Sequence, residues 1–139
     1  MEPLRVVLVD SREERRNLMV DLVEQNEGRA AVVAAADDPR SAVTAVDEEQ
    51  ADAVLVDVRM PVPAGLRTVR DLRARFPELG IVVCSFDLDR PTVRMVLDSG
   101  ADACLAKPAT CRELVAAFES AHDARHDGAR PLAGAATAA

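Results

Sequence analysis

At 139 residues, 49% of them hydrophobic, the chain is the size of one domain and can bury roughly two-thirds of its unfolded surface without staples. A formal net charge of −7 argues against a nonspecific nucleic-acid surface or an acidic-membrane surface. No apolar run reaches the length of a membrane span and the amino terminus carries no signal-peptide pattern, so a cytoplasmic protein without direct nucleic-acid or membrane binding is expected.

The first strand reads from Leu4 to Val9, uncharged after Arg5, and gives way to Asp10. Ser11 to Glu14 has the S-x-x-E form of a capping box, and a helix is expected from Arg12 to about Asn26 with Leu18, Met19, Leu22 and Val23 as its apolar stripe. A small-residue strand follows from Ala30 to Ala36. Asp38-Pro39 then sets a cap before a helix whose inner face is Ala42, Val43 and Val46. The run Ala53-Val54-Leu55-Val56 has the form of a strand buried on both faces of a parallel sheet, and it stops on Asp57. Met60-Pro61 and Pro63-Ala64-Gly65 predict a shaped loop, with a helix from about Leu66 to Phe76 that turns Val69, Leu72 and Phe76 inward.

Further along, Ile81 to Ser85 is a fourth strand, ending on a hydroxyl. A helix from about Pro91 to Ser99 buries Val93, Val96 and Leu97 and closes at Gly100. Ala103 to Ala106 is a fifth strand and delivers Lys107-Pro108. Thr110 and Glu113 form a second capping box, opening a helix held by Leu114, Val115 and Phe118. Beyond about Asp123 the periodicity dissolves, so residues 124–139 are expected to be a disordered tail or truncated linker after a domain spanning 1–123. Strands alternating with helices imply parallel pairing and right-handed crossovers, hence a three-layer doubly wound α/β sheet of five strands and five helices. Cys84, Cys104 and Cys111 have no paired spacing and are expected to be reduced thiols.

Four of these strands end on Asp10, Asp57, Ser85 and Lys107, and in a parallel sheet those ends share one rim. An acid that ends a strand needs no further role by itself. The set is more specific: two acids, a hydroxyl and the one Lys in a chain with 16 Arg. Carboxylates about 4 Å apart repel by around 4 kcal/mol at an effective dielectric near 20, so the pair needs a cation between its members. Oxygen ligands suit Mg²⁺, and a divalent ion with an ammonium spreads the charge of a transferring phosphoryl group.

From Leu4 to about His122 the chain resembles the receiver domain of two-component response regulators. The resemblance rests on Asp10, on Asp57-Val58-Arg59-Met60-Pro61 with Gly65, on Ser85 and on Lys107-Pro108. It implies the flavodoxin-like strand order 2-1-3-4-5. It also implies that Asp57 accepts a phosphoryl group from a phosphohistidine on a sensor histidine kinase or phosphotransfer protein. Mg²⁺ would be held by Asp10, Asp57 and the backbone carbonyl of Arg59, and Ser85 and Lys107 would contact the phosphoryl group. The resulting switch of the face formed by the fourth helix, fifth strand and fifth helix would address a downstream effector, a lost output domain or a second copy of the chain.

The chain departs from that pattern at several positions. Ser11 stands where the family has a second acid, so weaker Mg²⁺ binding is expected, with Ser11→Asp restoring it. Cys104 occupies the place of a switching aromatic, and Phe86 stands beside Ser85 where a small residue is usual. Arg59 and Asp87 lie at positions that influence phosphoryl loss, and as opposite charges they would pair across the mouth. The alternative reading is a pseudo-receiver, the same fold used as a phosphorylation-independent docking module. An aspartate-nucleophile phosphohydrolase is disfavoured by Arg12 and Arg59, and a flavin carrier because no aromatic is available to sandwich the ring.

Overall fold

A run of uncharged residues with β-branched side chains satisfies its backbone only by pairing on both sides, and the third strand shows the result. In the computed structural model, which describes residues 2–58, 63–86 and 88–126, β3 (Ala53–Asp57) lies at the centre of a five-stranded parallel sheet. It pairs with β1 (Leu4–Val9) on one side and β4 (Gly80–Ser85) on the other, while β2 (Ala30–Ala36) and β5 (Ala103–Ala106) form the edges. The order is β2-β1-β3-β4-β5. The helices are α1 (Glu13–Val23), α2 (Pro39–Glu49), α3 (Pro63–Arg75), α4 (Arg90–Asp98) and α5 (Cys111–His126). Contacts between α1 and α5, and between α2, α3 and α4, define the two layers that sandwich the sheet.

Every residue from Ala53 to Val56 is buried, as are Val6 to Val9 and Gly80 to Ser85. Phe118, Leu114 and Leu72 fill the interior from the helices. In the absence of Trp and Tyr, aliphatic side chains pack the interior around this single large ring. No helix among the described residues is long and apolar enough to cross a membrane.

Several local expectations are corrected. Helix α1 is capped at Arg12 with no side-chain cap bond, so the Ser11–Glu14 box does not form. Asp10 reaches forward instead, its Oδ1 accepting the Arg12 N–H at 2.9 Å. Of the expected α1 stripe only Val23 is buried, and Leu18 is 68% exposed. Pro63, Ala64 and Gly65 belong to the first turn of α3 rather than to a loop, because Pro lacks only an N–H that a helix start leaves unbonded anyway. The last helix runs on to His126 with Ala124 buried, and residues 127–139 lie outside the described residues. The two other caps form as expected. Asp38 accepts from Ser41 N–H at 2.7 Å, and Thr110 and Glu113 bond each other's backbone at 3.1 and 3.0 Å.

Candidate functional site

Parallel pairing carries Asp10, Asp57, Ser85 and Lys107 to one rim by register alone. Asp57 lies opposite Cys84, and Ser85 opposite Ala106, so Ser85 follows Asp57's cross-strand neighbour and Lys107 follows Ser85's. The Ser85 carbonyl accepts the Lys107 N–H at 2.9 Å, fixing that corner, and the Lys107–Pro108 peptide is cis. The Lys107 ammonium donates directly to Asp57 Oδ2. Asp57 Oδ1 is buried and has no hydrogen-bond partner. Beside the pair opens a cavity of about 300 Å³, lined in part by Asp10, Ser11, Arg15, Asp57, Gly65 and Thr68.

The cation between the acids is Arg15, a residue that sequence reasoning missed. Its Nη2 donates to Asp10 Oδ1 at 2.8 Å and its Nε to Asp10 Oδ2 at 3.0 Å, while Nε stands 3.8 Å from Asp57 Oδ2. Arg16 braces the same turn by donating to the Asp10 carbonyl at 2.8 Å. On a one-dimensional pattern Arg15 belongs to the charged side of α1. The available signal was its place in the first turn of the helix that leaves Asp10, together with the demand of two acids for a positive charge.

The acid pair titrates unevenly. Burial alone would raise Asp10, but the hydrogen bonds from Arg15, the coupling to the neighbouring Asp57 and the Arg12 N–H bring its carboxyl down to about 2. Burial, and then the neighbouring Asp10 carboxylate, push Asp57 up to about 6 against the opposing pull of Lys107. A proton shared by two carboxylates belongs to the pair, and Asp57 is the member that holds it longer.

The other expected residues fall as follows. Ser11 is exposed at the cavity mouth, and Ser85 is buried. Phe86 is 59% exposed, with its ring centroid 5.3 Å from the Lys107 ammonium, a cation–π approach outside the cavity beside Asp57. Cys104 is wholly buried opposite Val83, and burial pushes its thiol up to about 12. Arg59, Met60, Pro61 and Asp87 lie outside the described residues, so the carbonyl expected to hold a metal and the lid pair are not placed. Among the described residues no group of three or more His, Cys, Asp or Glu could hold a metal ion. Asp10 is already engaged by a guanidinium and Ser11 replaces an acid, so the donor set among the described residues does not fit Mg²⁺.

The response regulator receiver domain matches residues 6–119. This chain belongs to that family. Among similar proteins, a protein-glutamate methylesterase/protein-glutamine glutaminase of Rhodospirillum rubrum is 33% identical over 123 residues, covering 87% of this chain and 32% of the relative. The chemotaxis protein CheY of Listeria monocytogenes is 27% identical and is covered over 98% of its length by 85% of this chain. The signal receiver domain of NarL from Mycobacterium tuberculosis superposes with a TM-score of 0.75 at 28% identity, covering 87% of this chain and 98% of that one. Receiver domains thus occur at this length and as parts of longer proteins, and this chain spans a third to a half of the first curated relatives it matches. The strand order of this receiver agrees with the order expected for the family.

Proposed function

We propose that this receiver is a phosphoryl-accepting switch whose acceptor is Asp57. The observation that carries the reading is a buried carboxylate at the carboxyl end of the central strand, with one oxygen on the Lys107 ammonium and the other without a partner. An unpartnered, buried carboxylate oxygen is a poor resident and a good nucleophile. In the step proposed, Asp57 Oδ1 attacks phosphorus and the N–P bond of a donor phosphohistidine breaks. Its electron pair leaves on the imidazole, which takes up a solvent proton. Lys107 then pairs with the new phosphoryl oxygens, and the Ser85 hydroxyl, at the same rim, donates to them.

Receiver domains are generally Mg²⁺-dependent, and they act between histidine kinases or phosphotransfer proteins and effectors. The partners of this chain are taken to be of those classes, in the cytoplasm, with α4, β5 and α5 as the face that changes and a second copy as one candidate for it. The proposed role is that of a switch and not of an enzyme with turnover on a second substrate. The alternative, a pseudo-receiver that docks without phosphorylation, is favoured by Ser11 in an acid's place.

Exposure of the full chain to phosphoramidate, followed by intact mass, separates the two. Addition of one phosphoryl group to the wild type, and none to Asp57→Asn, supports the switch. An unmodified, folded wild type supports the docking module.

A further inference from the structure

Every receiver site must offset the charge of its acids, and this one does so from within. Among the charged side chains in ion-pair contact there, Asp10 and Asp57 are matched by Arg15 and Lys107, Ser11 takes the place of a third acid, and Asp37 and Asp38 stand exposed at the mouth of the same cavity. The Asp10 carboxylate is 3% exposed and its Oδ1 is crowded: it accepts Arg15 Nη2 at 2.8 Å, the Arg12 N–H at 2.9 Å and Arg15 Nε at 3.2 Å. Asp10 Oδ2 accepts Arg15 Nε at 3.0 Å. Mg²⁺ needs oxygen ligands at roughly 2.0–2.1 Å in near-octahedral array, and could take Asp10 only by expelling the guanidinium.

We propose that Arg15 is the resident cation of this site, holding the Asp10–Asp57 pair in the place of a divalent metal ion. The inference rests on the phosphoacceptor reading for its use in phosphoryl transfer, but not for its statement about metal. Guanidinium suits the task because it stays protonated throughout, and its planar fork can grip one carboxylate while it approaches the next. Arg15 Nη1 is buried without a hydrogen-bond partner, so the fork has a donor in reserve for a phosphoryl oxygen. The transfer step balances as written above, since Arg15 neither gains nor loses a proton in it.

Two measurements on the full chain test this. Calorimetric titration with MgCl₂ is expected to show weak binding by the wild type and at least tenfold tighter binding by Arg15→Met, which empties the space and exposes both acids. Arg15→Gln takes the place of Arg15→Met should circular dichroism show the latter unfolded. Equal affinity in wild type and variant overturns the proposal. The second measurement is intact mass after phosphoramidate with and without EDTA. Wild type that gains a phosphoryl group in EDTA while the variant needs Mg²⁺ supports it, and wild type that is modified only with Mg²⁺ overturns it. If neither protein is modified under any condition, the phosphoacceptor reading fails and the titration alone decides the role of Arg15.

Discussion

Asp57, the proposed phosphoacceptor, is a side chain whose protonation bears on both stability and the proposed chemistry. Its carboxyl is raised from 3.8 to about 6, so between those values the folded protein binds a proton that the unfolded chain has lost. Its contribution therefore favours the fold below pH ~4 and is lost as pH rises through about 6. Asp10 runs the other way: its carboxyl, lowered to about 2, stabilises the fold above its ordinary 3.8 and ceases to do so on acidification towards 2. From pH 4 to 7 the Asp10 contribution is nearly constant and the Asp57 slope is exposed. Urea titrations in EDTA across that range should show wild-type stability falling relative to Asp57→Asn as pH rises. Parallel curves would remove the raised carboxyl. Phosphoryl uptake should move in the opposite sense, rising with pH through about 6, because only the carboxylate attacks.

At the scale of elements, the strands and the capped starts of α2 and α5 were legible, and the starts of α1 and α3 were not. Runs such as Val54-Leu55-Val56 admit one environment, a sheet interior, and their order followed once the family resemblance supplied it. A helix start depends on which of several short polar groups takes the free N–H. Asp10 won that competition from Ser11, and the same carboxylate then met Arg15. No periodicity encodes such a meeting, because it depends on how α1 lies against the end of β1. Gly65, read as part of a loop, has its reason in α3: a Cβ there would lie 2.5 Å from Cγ2 of the buried Val58. Alanine is worth up to ~1 kcal/mol over glycine in a helix, yet overpacking costs ~1–3 kcal/mol. Gly65→Ala should therefore lower the urea midpoint at unchanged m-value, and adding Val58→Ala should recover part of the loss. A Gly65→Ala protein as stable as wild type would show that α3 can shift away from the strand at no cost.

Across the whole molecule the two rims of the sheet have different work. The carboxyl rim holds the acid pair, while the amino rim is tied by Asp102, which is wholly buried and which no motif or periodicity singles out. Its Oδ2 accepts Arg73 Nη2 at 2.8 Å and the Ile81 N–H at 2.9 Å, and its Oδ1 accepts Arg125 Nε at 2.7 Å. Arg73 also donates to the carbonyls of Leu79 at 2.7 Å and Gly100 at 2.9 Å, so α3, α5 and the starts of β4 and β5 meet at one carboxylate. Gly100, at φ 120°, leaves room for that side chain, since a Cβ would lie 2.8 Å from Arg73 Cβ. Removing one partner of a buried ion pair costs ~3–5 kcal/mol, and Asp102→Asn should fall at the lower end because both guanidiniums keep an edge in water. Arg73 of this knot lies eight residues from Gly65 on α3, about 12 Å of helix, beyond the ~7–10 Å at which substitutions interact directly. The destabilisation of Asp102→Asn and that of Gly65→Ala should then add to within about 0.5 kcal/mol in the double variant. Coupling above about 1 kcal/mol would mean that α3, which carries both Gly65 and Arg73, transmits strain from rim to rim. A change at Asp57 would then have a route to the α3–α5 knot besides the proposed one to the α4-β5-α5 face.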